Sequence, residues 1–351
     1  MPVTSFLRRT VGLAALALGL AVLPLALGPA NAAAQREPPN DPPPGWEPTA
    51  IDYSNVPYPY PVNYLNVRLM GRDHRMAYMD VRPTGKANGR TVVLFHGMNF
   101  FAAAFAPTIS ALADAGFRVI AVDRLGYGRS SKPLIHYNLH IPARNTKALV
   151  DELGIQRVAI VGHSMGGMVA TRFASTYPDV TSHVVMVNQI GLTDTRPGRQ
   201  WTDPEDTYRS VLEGTTYRSV LAGHRRYYPN GWREEYLPWV MYQYGLTLGG
   251  DWPRMARVRA SQRRILFEDP VAHEWQYIGT KALVIGGSED RLVRDYPAAA
   301  RTVAEQLQNA ELVLFPGAGH SPHFEIPDEF HAELIRFLRS DPDEPADQGW
   351  R

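Results

Sequence analysis

Cysteine is absent from this sequence of 351 residues. The chain therefore forms no disulfide, carries no lipid-modified N-terminal cysteine, and has neither a thiol nucleophile nor a thiolate metal ligand. It also lacks an excess of charge of one sign, since 36 Lys and Arg face 35 Asp and Glu. A near-neutral chain has no general attraction to nucleic acids or anionic membranes. We therefore expect neither as a partner.

Three motif types are missing as well. The sequence contains no glycine-rich dinucleotide motif, no phosphate-binding loop and no cluster of spaced metal ligands. Nucleotide cofactors and metal ions need such patterns, because backbone amides or several donor side chains must converge on them. We therefore expect no cofactor and no metal site. Nothing in the sequence indicates an oligomeric state.

One long apolar run occurs near the N-terminus, at residues 11–27. Arg8 and Arg9 precede it and small residues at 30–34 follow it, which is the order of a secretory signal peptide. We predict that residues 1–34 are cleaved, that the protein is exported to the periplasm or secreted, and that no stable membrane association then remains. The paired arginines leave twin-arginine export open beside the general route. An uncleaved anchor is the alternative, although Pro24 and the small residues disfavour it.

Proline is concentrated in the next segment, a leader at residues 35–62 in which nine prolines lie between positions 38 and 61. Each proline removes a backbone donor and favours extended polyproline geometry over a helix or a central strand. We expect this leader to space or wrap the domain that follows. Recognition of its prolines by another protein is the alternative.

From residue 63 onward, short apolar runs alternate with amphipathic stretches. The runs predict eight strands, at residues 64–70, 75–81, 90–95, 118–122, 158–161, 183–187, 282–285 and 312–315. Helices are predicted between most of them, at residues 106–115, 141–153, 168–177 and 296–307. Such alternation predicts an α/β fold whose mostly parallel sheet has helices on both faces. The core would occupy residues 63–191 and 275–340, with a tail at 341–351.

About ninety residues separate the sixth and seventh predicted strands, far more than one crossover helix needs. We interpret residues 192–274 as an inserted helical lid. Its many aromatic residues mostly predict packing within the lid, but Trp201 and Trp239 are candidates for substrate contact. The lid also carries arginines that could hold a substrate carboxylate, at positions 254, 257, 259, 263 and 264. A solvated helix face is the favoured interpretation of these arginines.

The strongest motif follows the predicted strand at 158–161. The sequence reads Gly-His-Ser-Met-Gly-Gly at 162–167 and leads into a predicted helix, which is the G-x-S-x-G elbow in its strand-turn-helix setting. The sharp turn strains Ser164 and requires glycines at 162 and 166, and the helix start directs free amides toward developing negative charge. Ser164 is therefore the candidate nucleophile. On the motif alone, the alternative is a serine without a catalytic role in a glycine-rich turn.

A serine nucleophile needs a base and an acid that orients the base. His320 lies in Gly-Ala-Gly-His just past the last predicted strand, and Asp290 follows the preceding strand. We assign His320 as the base and Asp290 as the acid. Asp194 and Glu289 are the alternatives for the acid. We expect His323 at the rim of the site or in local packing.

With these motifs the sequence resembles the α/β-hydrolase superfamily. The likeness rests on His-Gly at 96–97, Asp-Arg-Leu-Gly-Tyr-Gly-Arg-Ser at 123–130, the elbow at 162–167, and Gly-His at 319–320 followed by Glu325, Pro327 and Phe330. It covers about residues 63–340. The resemblance implies an eight-stranded α/β-hydrolase sheet with an inserted helical lid, in which the nucleophile, acid and base follow one another in this chain order.

The resemblance also implies an oxyanion hole. The turn after the first central strand and the start of the helix after the elbow would supply it, through the backbone amides of Met98 and Met165. Asn99 and Phe100 on the same turn are candidates for substrate contact. His96 is expected to bond nearby backbone rather than to take part in catalysis.

Several activities share these motifs, including those of esterases, lactonases and carbon-carbon bond hydrolases. Members that dehalogenate alkanes or open epoxides carry aspartate where this chain has Ser164, so those activities are disfavoured. We predict an exported, carboxylesterase-like serine hydrolase that cleaves an ester or lactone of a small to medium apolar substrate through an acyl-enzyme. The alternatives are hydrolysis of vinylogous diketones, an aminopeptidase whose Glu234 and Glu235 bind the substrate amine, and a non-catalytic ligand-binding protein.

Overall fold

The computed structural model describes residues 37–347. The predicted signal peptide and the last four residues of the predicted tail lie outside the described residues. Within the described part, eight strands form one sheet. They are β1 (Val62–Leu69), β2 (Arg72–Val81), β3 (Thr91–Phe95), β4 (Arg118–Val122), β5 (Val158–His163), β6 (Thr181–Val187), β7 (Lys281–Gly287) and β8 (Ala310–Phe315). Each overlaps one predicted strand.

Ten α-helices accompany the sheet in residues 37–347. They are α1 (Ala106–Asp114), α2 (His140–Glu152), α3 (Met165–Thr176), α4 (Pro204–Gly214), α5 (Tyr217–Arg225), α6 (Leu237–Gly245), α7 (Trp252–Glu268), α8 (Tyr296–Gln306), α9 (Pro322–Glu325) and α10 (Pro327–Arg339). Short 3₁₀ helices lie at Ala102–Phe105, Glu234–Tyr236, Leu246–Leu248 and Trp275–Tyr277. Helices α4 to α7 fall within the segment predicted to form a lid.

The strands follow the order β1-β2-β4-β3-β5-β6-β7-β8. Strand β2 pairs antiparallel with β1 and β4, whereas every pair from β4 to β8 is parallel. In the centre, Val93 of β3 lies opposite Ile120 of β4 and Ile160 of β5. The predicted fold class, an α/β-hydrolase sheet of eight mostly parallel strands covered by helices, is confirmed.

Burial on both faces of the sheet explains the continuous apolar runs of the central strands. All five residues of β3 are buried. Val92 and Leu94 pack in an apolar cluster with α1 and α10, while Val93 and Phe95 pack in a second cluster with α2 and α3. Successive side chains of a strand point to opposite faces. A strand covered by helices on both sides therefore needs apolar residues at every position.

The centre of the sheet contains a reversal of strand order. Strand β4 lies on one side of β3, and β5 lies on the other. Where the loops after two neighbouring strands run in opposite directions, a crevice forms at the carboxyl edge of the sheet. This crevice is the usual ligand site of such sheets. The loop after β3 begins at His96, and the turn after β5 contains Ser164. The fold therefore brings the two strongest motifs to one crevice.

The described part of the proline-rich leader is bound to the rest of the protein. Tyr58 Oη donates to Asp123 Oδ2 at 2.5 Å, and the amide of Thr49 donates to Gly245 O at the end of α6 at 3.0 Å. The leader thus contacts both the sheet region and the inserted helices. Among residues 37–347, no helix has the length and apolar character required to cross a membrane.

Candidate active site

Ser164 occupies a strained turn between β5 and α3. Its backbone has φ 57° and ψ −121°, a combination that residues other than glycine rarely adopt. Two glycines make the turn possible. A Cβ on Gly162 would lie 2.1 Å from Gly166 O, and a Cβ on Gly166 would lie 2.1 Å from Phe95 O. The close approach of these backbones holds Ser164 at the edge of the crevice.

The loop after β3 lies against this turn. A Cβ on Gly97 would approach Ser164 Cβ to 3.2 Å, so the two segments are in close contact. Met98 and Ser164 line the same cavity, and Met165 begins α3. In the described part of the chain, the backbone amides of Met98 and Met165 donate no hydrogen bond to protein, as expected for the first amide of a helix. Both amides are therefore available to a ligand.

His320 and Asp290 form a buried hydrogen-bonded pair. His320 Nδ1 lies 2.7 Å from Asp290 Oδ2, and the two side chains are 1% and 0% exposed. Because a carboxylate can only accept, His320 Nδ1 carries the hydrogen and donates it. In the neutral ring Nε2 then holds the lone pair that a general base needs. Within residues 37–347, the structure contains no hydrogen bond between the His320 ring and Ser164 Oγ.

A second partner fixes the Asp290 carboxylate. Asn188, directly after β6, donates from Nδ2 to Asp290 Oδ2 at 2.9 Å and accepts from the amide of Gly287 at 3.0 Å. The amide of Leu292 donates to Asp290 Oδ1 at 2.8 Å. Burial alone raises the pKa of Asp290, but the His320 ring and these hydrogen bonds outweigh burial and hold the pKa below its ordinary value. Asp290 is therefore ionised at neutral pH.

Three residues, Tyr227, His163 and Glu325, hold the loop that carries His320. Its amide donates to Tyr227 O at 2.9 Å, and His163 Nε2 lies 2.9 Å from the His320 carbonyl oxygen. Glu325 accepts from the backbone amides on either side of His320, at 3.0 Å each. Elbow, inserted segment and α9 thus all position this histidine. The sequence signal of this loop is Gly-His followed by Glu325, whereas Tyr227 and His163 belong to distant parts of the chain.

Two of these supports have shifted pKa values. Burial, reinforced by the neighbouring His320 ring, lowers the pKa of His163 to about 3. His163 is therefore neutral at physiological pH, and its Nε2–H donates to the His320 carbonyl. Burial raises the pKa of Glu325 to about 7. This carboxyl group therefore titrates near neutrality while it accepts the two loop amides.

The alternatives for the acid lie elsewhere. Asp194 makes an ion pair with Arg196 and accepts from His273 at 3.0 Å. Glu289 is exposed. His323 is buried, with its ring centroid 4.6 Å from that of His163, so it packs locally as expected. Of these candidate acids, Asp290 alone contacts His320 Nδ1, at 2.7 Å.

A cavity of about 700 Å³ opens at Ser164. Its apolar lining comes from the loops after β3, β6 and β7 and from α7 and α8, and consists of Met98, Ile190, Leu192, Leu266, Leu292, Val293 and Ala299. Its polar lining consists of Asn99, Ser164, Thr193, Thr195, Arg199, Arg226, Tyr227 and Arg294. The volume falls within the range of about 300 to 1,000 Å³ that is common for small-molecule sites.

Of the four residues predicted to contact substrate, Asn99 alone lines this cavity. Phe100 and Trp239 pack against each other, with ring centroids 5.8 Å apart, beside a separate void of about 10 Å³. Trp201 is 58% exposed, with its ring near the guanidinium of Arg264. For these three residues the structure corrects the prediction, because aromatic spacing indicates packing but not which side of a packed cluster is hollow.

Three hydrogen-bonded side chains at the cavity wall carry no signal in the sequence. Arg259 donates to Asn99 Oδ1 at 2.8 Å, and Asn99 Nδ2 donates to Tyr227 Oη at 2.6 Å. Burial raises the pKa of Tyr227, so its hydroxyl stays protonated at neutral pH. The Tyr227 ring also packs on His320, with centroids 5.1 Å apart. These hydrogen bonds therefore connect the buried Arg259, through Asn99 and Tyr227, to the ring of the candidate base.

The five lid arginines divide into two groups. Arg257 and Arg264 make ion pairs with Glu205 and Glu268, and Arg254 donates to a backbone carbonyl of the core at 2.9 Å. Arg254 and Arg257 are exposed, which agrees with the predicted solvated helix face, whereas the Arg264 side chain is largely buried. Arg263 is exposed as well, whereas Arg259 is buried and donates to Asn99. Glu234 and Glu235 are exposed and lie outside the cavity lining.

Among the described residues, no group of three or more His, Cys, Asp or Glu side chains is arranged to hold a metal ion. The polar groups that line the cavity are hydroxyls, an amide and guanidinium groups. Such donors suit hydrogen bonding to an oxygen-rich organic substrate.

A family model described as the alpha/beta hydrolase family matches residues 92–333. A 2-hydroxy-6-oxononadienedioate/2-hydroxy-6-oxononatrienedioate hydrolase from Paraburkholderia phymatum is 30% identical over 284 residues, which cover 78% of this chain and 94% of that protein. The range matched by the family model includes the elbow, Asp290 and His320.

Two solved structures share the fold. A probable hydrolytic enzyme from Pseudomonas aeruginosa PAO1 is 36% identical with a TM-score of 0.80, and the match covers 84% of this chain and 99% of that one. An enol-lactonase from Burkholderia xenovorans LB400 is 22% identical with a TM-score of 0.64, over 79% of this chain and 100% of that one. At this lower identity the likeness concerns the fold alone.

Proposed function

Because the chain belongs to the alpha/beta hydrolase family, we propose that it is a serine hydrolase that cleaves a carboxylic ester or lactone through an acyl-enzyme on Ser164. The observation that carries this proposal is the buried pair of His320 and Asp290, 2.7 Å apart, in the same crevice as a serine with φ 57°. This arrangement supplies a nucleophile, a base with its lone pair on Nε2, and an acid that orients the base.

In the proposed reaction, Ser164 Oγ attacks the substrate carbonyl carbon while His320 Nε2 takes the hydroxyl proton. Asp290 stabilises the imidazolium that forms. The carbonyl electron pair moves to oxygen, where the amides of Met98 and Met165 donate to the oxyanion, each contributing about 3 kcal/mol. The C–O bond to the leaving alcohol then breaks, and His320 returns the proton to that oxygen. Water, activated by the same base, releases the carboxylic acid from Ser164.

Activity on nitrophenyl esters of graded chain length tests the nucleophile. We expect Ser164→Ala to lower kcat by about 10³-fold or more, because the residual rate comes only from binding and oxyanion stabilisation. A fluorophosphonate should label the wild-type protein and not the variant. Ser210→Ala, at an exposed position of α4, is the matched control and should behave as wild type. Full activity of Ser164→Ala would exclude the mechanism.

Carbon-carbon bond hydrolysis is the second candidate. The observation in its favour is the 30% identity to the Paraburkholderia hydrolase, whose name describes a dioate substrate. The same nucleophile and base would act, but the bond broken would join two carbons of a vinylogous diketone. Parallel assays of esters, lactones and diketones distinguish the two: turnover of diketones with no ester or lactone turnover would replace our first proposal.

We also propose that the enzyme works outside the cytoplasm. The support is the order of Arg8, Arg9, the apolar run at 11–27 and the small residues at 30–34. Expression of the full chain in a bacterial host, followed by fractionation and N-terminal sequencing of the mature protein, tests this. A cytoplasmic product that begins at residue 1 or 2 would contradict export.

A further inference from the structure

The charge of the cavity lining has one sign. Arg199, Arg226 and Arg294 line the cavity with Ser164, and no Asp or Glu does so among the described residues. The three arginines come from separate segments: the loop after β6, the residue that follows α5, and the loop between β7 and α8. A solvated face of one helix would place its charges on a single element. Here the fold gathers them around one opening.

None of these three arginines is neutralised by a carboxylate within residues 37–347. Arg226 donates to the backbone oxygen of Arg291 at 2.9 Å, and the Arg199 guanidinium lies 5.7 Å from the ring of Phe267. By contrast, Arg196, close to Arg199 in sequence, pairs with Asp194. Asp295, next to Arg294 in sequence, caps α8 by accepting from the amide of Ala298, and Asp290 is engaged by His320 and Asn188. The cavity therefore keeps an uncompensated positive charge.

A fourth positive charge lies deeper in the wall. Arg259 is 5% exposed, makes no ion pair in the described part of the chain, and has a buried Nε without a hydrogen-bond partner. Its guanidinium reaches Asn99, which lines the cavity. A buried charge without a counter-ion is costly. An anion that enters the cavity would reduce this cost, whereas a neutral or cationic substrate would not.

We propose that the cavity selects acyl substrates that carry a second, free carboxylate, and that Arg199, Arg226 and Arg294 bind this group while Ser164 attacks the ester or lactone. The inference rests on the proposed function, because the carboxylate matters as part of a substrate that the serine cleaves. Guanidinium groups form charge-assisted hydrogen bonds with carboxylates, and the cavity of about 700 Å³ can hold both ends of a small dicarboxylic acid monoester.

The test compares two matched substrates, nitrophenyl hexanoate and the nitrophenyl monoester of adipic acid, which share a six-carbon acyl chain and differ in the terminal carboxylate. For wild type we expect kcat/KM to be about tenfold higher for the adipate monoester, or more, with the ratio falling as ionic strength rises. The triple variant Arg199→Gln, Arg226→Gln, Arg294→Gln should lose most of this ratio, at about two- to fivefold per exposed arginine. Arg257→Gln, whose arginine is paired with Glu205, should keep the wild-type ratio.

A second measurement needs no turnover. Titration calorimetry with Ser164→Ala protein should show tighter binding of adipate than of hexanediol. The triple variant in the same background should bind adipate more weakly. Equal kcat/KM for the two esters, or a ratio that the triple variant leaves unchanged, overturns the anion preference alone. If the wild-type protein cleaves neither ester, the proposed ester hydrolysis is overturned. The binding of adipate then decides the anion preference separately.

Discussion

Acidification from pH 7 to pH 5 should destabilise this protein, because the described part of the chain buries six histidines in their neutral form. Burial lowers the pKa below the ordinary value of 6.5 for each of His96, His163, His183, His224, His323 and His331. The pKa falls to about 3 for His163 and to about 4 for His183 and His224. Between these values and 6.5 the unfolded chain binds protons that the folded chain does not. Stability therefore falls as the pH falls.

The magnitude follows from the pKa values of His163, His183 and His224. At pH 5, relative to pH 7, each of His163, His183 and His224 removes about 2 kcal/mol from the free energy of unfolding, and the three together about 6 kcal/mol. Glu325 acts in the opposite direction. Its folded-state pKa of about 7 lies above its ordinary 4.5, so the folded state binds the extra proton and gains about 2 kcal/mol over the same interval. For these four groups the loss is about 4 kcal/mol, which is large beside a typical total of 5 to 15 kcal/mol. The lowered pKa values of His96, His323 and His331 act in the same direction.

Urea unfolding followed by tryptophan fluorescence at pH 7 and pH 5 measures this loss. His224→Gln should reduce the difference between the two pH values by about 2 kcal/mol, since a titrating group is removed. His140→Gln, at an exposed position that begins α2, is the matched control and should show the wild-type difference. A free energy of unfolding that is equal at both pH values within about 1 kcal/mol, or higher at pH 5, would refute the reasoning.

Three further predictions follow from the site. Asp290→Asn should lower kcat by about 10³- to 10⁴-fold in an ester assay, because the base loses its orienting carboxylate; Glu289→Gln is the control, and an equal loss there would contradict the assignment. Gly166→Ala should cost about 1 to 3 kcal/mol in urea unfolding, because its Cβ would lie 2.1 Å from a backbone oxygen of β3. Gly214→Ala, with open space around it, should change stability little. Glu325→Gln should enlarge the loss of stability between pH 7 and pH 5 by about 2 kcal/mol, and an unchanged loss would show that this carboxyl group does not titrate there.

The fold was predictable because both faces of the sheet are covered. Full burial produces uninterrupted apolar runs, and each run at the centre of the sheet identified a strand. The ends of the strands were less predictable from the sequence. Strand β2 begins at Arg72, whereas the apolar pattern places its start at residue 75. Residues 72–74 are polar and largely exposed, and they join the strand through backbone pairing with β1, which leaves no hydrophobic signal.

The candidate reacting groups could be proposed from the sequence for a different reason. A strained serine turn needs glycines at set positions, and Ser164, Asp290 and His320 each follow a strand whose end the sequence already indicated. The supports of these groups were not predictable in the same way. Asn188 reaches Asp290 across 102 positions of sequence, and Tyr227 belongs to the inserted segment. No local spacing relates such pairs.

By itself, the sequence determined the α/β-hydrolase fold class and the identities of the candidate nucleophile, acid and base, because these depend on periodicity and on turns a few residues long. Only the tertiary structure decided which residues line the cavity. In the structure Trp201 and Trp239 lie outside the cavity lining, whereas Arg199, Arg226 and Arg294 belong to it. The direction of a side chain in an inserted helix or loop depends on how that segment packs against distant strands, and the charge of the cavity is set by that packing.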